Sequence, residues 1–277
     1  MAANLLKAGH GLHVHNRTPA AATALVEAGA HWCPTAAEAA AAAPVTCLCL
    51  SDDEAVRTVL LGAGSSDPTA AFCGLRQGSL VIDFSTISPA TSQMLAQQLG
   101  AHGVGYLDAP VTGGTEGARA GTLSVLVGGD PSALERARPI LELVGGRISH
   151  LGPVGSGQQA KAINQVLVAG SYAAVAEALA LGERLGLPMP TVLEALGAGA
   201  AGSWALQHRA NNMLVGDYPL GFKLALHRKD LAIALQTAAN VDLDLPISSL
   251  VASLEDALIE AGHGERDVSA LAEWFRR

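Results

Sequence analysis

The feature that most constrains this sequence is a change of period near Gly152. Ahead of it, short apolar runs at residues 12–15, 45–50, 79–84, 105–108 and 123–128 have strand length. Between them lie stretches with a helical pattern, at residues 2–8, 19–28, 35–42, 52–61 and 89–99. Thr18-Pro19 reads as an N-cap followed by proline at the first helical position, and Ser88-Pro89 repeats the device. Beyond Gly152 the strand pattern stops. Residues 158–185 contain no proline and read as one helix, which at about 1.5 Å per residue spans about 42 Å. Only helical patterns follow, at 189–196, 205–213, 224–240, 248–261 and 268–275. The expected architecture is α/β with a doubly wound, mainly parallel sheet over residues 1–153. A long helix then leads into an all-α domain over 154–277.

Composition narrows the partners. Charged residues make up 15% and hydrophobic residues 49%, which excludes a disordered chain. The formal net charge is −8 with no block of Lys or Arg, which argues against nucleic acid or an anionic membrane as partner. Aromatic residues, at 4%, are too scarce for a base-stacking platform. No run of about 20 apolar residues is seen, so no transmembrane helix is expected. The opening MAANLLKAGHG lacks the apolar core and cleavage site of a secretory signal, so the expected location is cytoplasmic. Cys33, Cys47, Cys49 and Cys73 form neither a CxxC pair nor a zinc spacing. They are expected to be free, buried thiols, and no metal site is expected.

Doubly wound sheets bind ligands at the carboxyl ends of their strands, and three such ends carry suitable residues. After residues 12–15 comes Asn16-Arg17-Thr18, where dinucleotide-binding folds place an acid for the ribose 2′-OH of NAD. Here the acid is absent, and a guanidinium and a hydroxyl stand in its place, which favours the 2′-phosphate of NADP. A surface Arg beside a capping Thr fits the same residues. The second end, Ser85-Thr86-Ile87-Ser88, offers hydroxyls that can face a cofactor or cap the next helix. The third, Thr112-Gly113-Gly114, either cradles a carboxylate or phosphate on bare backbone N–H groups or is a flexible loop. Gly155-Ser-Gly157-Gln-Gln-Ala160 matches G-x-G-x-x-A. No further βαβ unit follows it, so it is read as a tight helix entry and not as a phosphate loop. On that helix Lys161, Asn164 and Gln165 fall at i, i+3 and i+4 and share one face. A cation and two amides on an apolar helix suit an active site; a snorkelling lysine with capping amides is the structural alternative.

Three ordered motifs resemble the β-hydroxyacid dehydrogenase family, which includes 3-hydroxyisobutyrate dehydrogenase, tartronate semialdehyde reductase and the glyoxylate/succinic semialdehyde reductases. They are DAPVTGG with GTLSVLVGG (108–114 and 121–129), GSGQQAKAINQV (155–166), and Phe222-Lys-Leu-Ala-Leu-His-Arg-Lys229-Asp230-Leu231. The NQV variant and residues 199–207 look nearest to the tartronate semialdehyde branch. The resemblance implies a Rossmann-type nucleotide domain, a helical substrate and dimerisation domain, and hydride transfer between NADP(H), or alternatively NAD, and a short β-hydroxyacid or semialdehyde. It implies Lys161 as the general acid/base with Asn164 and Gln165 beside it, the latter at the position where relatives often carry Asn. Thr112, Gly113 and Gly114 would hold a substrate carboxylate. Asn16, Arg17, Thr18, Leu50, Ser51, Thr86 and Lys229 would meet the cofactor. A homodimer or homotetramer is also implied. Family members begin with a strand and a G-x-G-x-M-G loop ahead of the sequence that matches Met1 onward. The pattern therefore expects roughly 14 further residues, forming the central first strand and the pyrophosphate loop, ahead of Met1 in the native protein. Without them the sheet would have a gap in its middle. An NAD-linked 3-hydroxyisobutyrate dehydrogenase and a non-catalytic remnant of the family are the competing expectations.

Overall fold

The computed structural model of the chain describes residues 1–62 and 67–276. They divide into two compact units, Met1–Lys161 and Ala162–Arg277.

The first unit is built on eight strands: β1 (His13–Val14), β2 (His31–Trp32), β3 (Val45–Leu48), β4 (Leu80–Asp83), β5 (Gly105–Asp108), β6 (Val111–Thr112), β7 (Leu123–Gly129) and β8 (Gly145–Gly152). Strands β1 and β2 pair in parallel as a separate two-stranded sheet. The other six form one sheet in the order β3-β4-β5-β7-β6, with β8 also on β7. Among the described residues no strand bridges β1 and β3, so the expected gap is present. The run β3-β4-β5 is parallel, while β7 is antiparallel to β5 and β6. Strand β8 is parallel to β7.

Alternation decides which side of the sheet each residue serves. In β4 and β5, Leu80, Ile82 and Leu107 pack on one face with Val125, Val127, Leu134 and Leu141. Val81 and Tyr106 pack on the other with Val56, Leu60, Leu95 and Leu99. Both faces of β4 are therefore covered, which is why its sequence is an unbroken apolar run.

Several local expectations are corrected. Residues 19–28 split into a 3-10 turn, Pro19–Ala22, and a short α-helix, Thr23–Glu27. Thr18 occupies the N-cap position, but its side chain accepts no capping bond. Ser88 does cap its helix, Pro89–Gly100, accepting from the Thr91 N–H at 3.2 Å. Of the four cysteines only Cys33 is buried; Cys47, Cys49 and Cys73 are exposed. Among the described residues β3 has no strand on its outer side, and Cys47 and Cys49 there are exposed.

The long helix spans Ser156–Arg184 and contributes Ala169, Tyr172, Val175, Ala176 and Leu179 to the core of the second unit. Contrary to expectation, it is long and apolar enough to cross a membrane by length and composition alone. Its buried stripe instead packs with residues of helices Trp204–Val215, Leu224–Ala239 and Pro246–Glu260. The unit is helical among its described residues, apart from one isolated bridge between Lys223 and Asp267. Asp267 is buried and accepts from the N–H groups of Gly221, Phe222 and Ser269.

Candidate active site

The organising group of the first unit is Asp108, fully buried at the end of β5. After it, Ala109-Pro110 carries the chain along the same neighbour, so β5 and β6 pair in turn with β7. Pro110 has no N–H to give, but its carbonyl accepts from Leu126 at 2.9 Å and keeps the two segments aligned. The Asp108 carboxylate turns toward the start of the long helix. Its Oδ1 accepts from the Gly155 N–H at 2.8 Å and its Oδ2 from the Gln158 N–H at 2.9 Å. A negative group here satisfies N–H donors that a helix N-terminus leaves open and lies at the positive end of its dipole. Burial still holds the carboxyl above its ordinary pKa, against the downward pull of those N–H groups.

Two glycines make room for this arrangement. A Cβ on Gly157 would meet the Leu126 carbonyl oxygen at 2.4 Å and Asp108 Oδ2 at 2.8 Å. One on Gly128 would meet Asp108 Oδ1 at 2.4 Å. The G-x-G-x-x-A match is thus explained. Its N–H groups bind an internal carboxylate, not a phosphate.

Gln158, also buried, ties the helix entry to the end of β4. Its Nε2 donates to the Ser85 carbonyl at 2.8 Å, and its Oε1 accepts from the Ile87 N–H at 3.2 Å. Thr86, half-buried, is therefore held from both sides. The adjacent loop is fixed as well, because the Leu50 N–H donates to Ser85 Oγ at 2.9 Å. Asp53 Oδ1 accepts from Ser88 Oγ at 2.6 Å. Leu50, Ser51 and Thr86 accordingly lie on two clamped loops at the carboxyl ends of adjacent parallel strands.

Asp83 lies beneath these loops, fully buried, with its Oδ1 accepting from the Ser85 N–H at 2.9 Å and its Oδ2 from the Tyr106 hydroxyl at 3.0 Å. Burial pushes its carboxyl up to about 6, although both hydrogen bonds favour the ionised form. The nearby Asp108 charge adds to the rise.

Thr112 ends β6 half-buried, followed by exposed Gly113 and Gly114. Gly113 has φ +132° and Gly114 φ +64°, backbone that side chains resist. Lys161, buried, stands on the second turn of the long helix. Asn16, Arg17 and Thr18 are exposed at the end of β1, on the separate small sheet. No ion pair joins Arg17 to an acidic residue among the described residues, and the Thr18 hydroxyl is not used in capping. A guanidinium and a hydroxyl thus stand available, which fits the phosphate-bearing end of a dinucleotide. The clamped strand-end loops fit its nicotinamide end.

In the second unit the amides join a chain of polar groups centred on buried Gln165 and Asp230. Asn164 Nδ2 donates to Gln165 Oε1 at 2.7 Å, Gln165 Nε2 donates to Asp230 Oδ2 at 2.7 Å, and Lys229 Nζ pairs with Asp230 Oδ1 at 2.6 Å. The orientation is fixed by chemistry, since an ionised carboxylate only accepts and Gln165 must present its NH₂. Gln165 is spent at both ends of its amide. Asn164, half-buried, keeps its carbonyl oxygen free of these bonds.

Comparison with known proteins identifies the family. Residues 1–152 match the family model described as the NAD binding domain of 6-phosphogluconate dehydrogenase. Residues 155–275 match NAD-binding of NADP-dependent 3-hydroxyisobutyrate dehydrogenase. The chain is 38% identical to 2-hydroxy-3-oxopropionate reductase of Escherichia coli, over 99% of this chain and 91% of that protein. It is also 38% identical to 3-hydroxyisobutyrate dehydrogenase of Pseudomonas aeruginosa, over 100% and 94%. Among solved structures, Mycobacterium tuberculosis 3-hydroxyisobutyrate dehydrogenase with L-serine superposes with a TM-score of 0.87 at 34% identity, covering 100% of this chain and 94% of that one. With a nucleotide-domain match, a helical-domain match and near full-length relatives in register, the chain belongs to the β-hydroxyacid dehydrogenase family of NAD(P)-dependent oxidoreductases.

Proposed function

We propose that this protein is an NADP(H)-linked reductase and dehydrogenase of short β-hydroxyacids and the matching semialdehydes, tartronate semialdehyde and 3-hydroxyisobutyrate among them. The observation that carries the reading is the buried Lys161 on a helix whose start is locked by Asp108 and Gln158. The nicotinamide, when bound, supplies or accepts the hydride. Lys161 donates a proton from Nζ to the carbonyl oxygen during reduction and takes it back from the hydroxyl during oxidation. Thr112, Gly113 and Gly114 orient the substrate through its carboxylate. Asn164, one turn from Lys161 on the same helix, is the amide assigned to the substrate, while Gln165 holds Asp230. Arg17 and Thr18 receive the 2′-phosphate, Asn16, Leu50, Ser51 and Thr86 line the cofactor, and Lys229 is assigned to it by the family pattern.

Exposed apolar side chains of the second unit, such as Leu167, Leu181, Ile247 and Leu250, support self-association as a dimer or tetramer. A cytoplasmic location accords with metabolic chemistry on a diffusible cofactor.

The test is turnover of a panel of small semialdehydes with NADPH and with NADH, alongside fluorescence titration of each nucleotide. NADPH-dependent reduction that drops about 10²- to 10⁴-fold in Lys161→Ala is the expected result. Full turnover in Lys161→Ala overturns the acid/base assignment. Equal use of NADH favours the NAD-linked 3-hydroxyisobutyrate reading, and no nucleotide binding by the full native chain favours the non-catalytic one. L-Serine, assayed in the oxidative direction with NADP+ and with NAD+, belongs beside the panel, because the Mycobacterium structure contains it.

A further inference from the structure

Two imidazoles and a thiol meet on the small β1–β2 sheet, and none of them has a part in the reaction above. His13 and His31 are register partners on parallel strands, with ring centroids 5.2 Å apart. Cys33 follows His31 by two residues, which returns its side chain to the same face. Its Sγ lies 4.0 Å from His13 Nδ1. One ligand atom from each of the three residues lies within 4.8 Å of the other two.

The backbone beneath is fixed. The N–H groups of His31 and Cys33 donate to the carbonyls of Leu12 and Val14, both at 2.8 Å. His15 Nδ1 lies 3.1 Å from the Cys33 carbonyl oxygen and steadies that peptide. The thiol is 4% exposed while both histidines are open to solvent. The donor set therefore has a buried floor and an accessible mouth.

We propose that His13, His31 and Cys33 bind a thiophilic divalent cation, Zn²⁺ first, with solvent or an exchangeable ligand in the fourth position. Two imidazoles and a thiolate are a borderline-soft donor set. That set passes over Mg²⁺ and Ca²⁺, which take oxygen ligands. Zn–N bonds of about 2.0–2.1 Å and a Zn–S bond of about 2.3 Å place tetrahedral donors roughly 3.3–3.6 Å apart. The donor atoms need close by no more than about 1.5 Å, within reach of χ rotations of the two exposed rings. On binding, the Cys33 thiol gives its proton to solvent as the metal–sulfur bond forms. Cysteine spacing along the chain does not reveal this set, because its members come from two strands that meet only in the sheet.

The experiment uses the full chain, stripped with a chelator and titrated with Co²⁺, whose thiolate charge-transfer and d–d bands report sulfur ligation and tetrahedral geometry. Zn²⁺ is then added in competition. One equivalent of Co²⁺ with a near-ultraviolet thiolate band, displaced by Zn²⁺, is expected. Cys33→Ser should abolish the band, and His13→Ala and His31→Ala should each weaken binding at least tenfold. Cys47→Ser and Cys49→Ser should leave binding unchanged. Zn²⁺ should also raise the midpoint of thermal unfolding in the parent but not in His31→Ala, with far-ultraviolet circular dichroism confirming that each variant is folded. A band that survives Cys33→Ser, vanishes in Cys47→Ser or Cys49→Ser, or is unaffected by His31→Ala overturns the site. Failure of the unmodified chain to bind Co²⁺ or Zn²⁺ does the same.

Discussion

Replacing Asp83 by Asn should stabilise this protein at pH 8 and lose that advantage in acid. Asp83 is fully buried, and its carboxyl is pushed up to about 6 from an ordinary value of 3.8. A raised folded-state pKa means that the folded state holds the proton more tightly than the unfolded chain. The associated stability is complete below about pH 4 and is lost as pH climbs through about 6. The full difference of about 2.2 units corresponds to about 3 kcal/mol. Asparagine keeps the geometry without the charge. Its Oδ1 can accept from the Ser85 N–H as Asp83 does at 2.9 Å, and its NH₂ can donate to the Tyr106 oxygen, which is a donor at 3.0 Å in the parent. Reversing that bond turns the Tyr106 proton toward the buried Ser92 hydroxyl beside it. Urea unfolding of both proteins at intervals from pH 4.5 to 8, read by circular dichroism, gives the difference directly. Asp108, whose carboxyl is also raised, slopes both curves the same way, and relief of its repulsion with Asp83 adds to the difference in the same direction. Asp83→Asn should gain on the parent by about 1–3 kcal/mol between the ends of the range. A difference that is flat with pH, or that grows against the variant as pH rises, would refute the argument that the ionised carboxylate is held at a cost.

Further tests address the helix entry and the polar chain. Gly157→Ala should destabilise the first unit by about 1–3 kcal/mol in thermal unfolding, because the new Cβ overlaps backbone and the Asp108 carboxylate. Gln165→Ala strips buried Asp230 of a 2.7 Å hydrogen bond and should cost about 1–3 kcal/mol in stability. Asn164→Ala should leave stability within about 0.5 kcal/mol and raise KM for the substrate. If instead the stability loss falls on Asn164 and the KM effect on Gln165, the assigned roles are reversed. Arg17→Ala should reduce the NADPH-over-NADH preference in kcat/KM by about ten- to a hundredfold, since a charged hydrogen bond is worth about 1.5–3 kcal/mol.

Periodicity exposed the alternation of the first half and the helices of the second, because buried stripes leave a fixed spacing in sequence. The long helix is the clearest case, at 158–185 from pattern and Ser156–Arg184 in the structure. Short elements were less legible. Strand β2 is two residues long and contains His31 and Trp32, with no run to detect. Thr18-Pro19 and Ser88-Pro89 look alike in one dimension, yet only the serine bonds back to its helix. Motifs singled out Lys161 and the Thr112-Gly113-Gly114 turn, which carry the proposed roles. Nothing local pointed to Gln158 or to the buried role of Asp108, whose partners lie 71 and 47 residues away along the chain. The one available signal for Asp108 was chemical: an acid closing an apolar strand must find donors, and the glycines at 155 and 157 were the place to look.

Gln158 has a consequence for how such an enzyme diversifies. Its amide sets the height of the Thr86 loop from the same helical turn region that carries Lys161. On the proposed assignment the Thr86 loop meets the cofactor and Lys161 carries the proton, so the two share one datum, set apart from residues 112–114. Changes at the side chains around that turn can then alter which carboxylic substrate is taken without realigning the hydride with the proton. A frame of this kind lets relatives of similar backbone carry the names of different hydroxyacids.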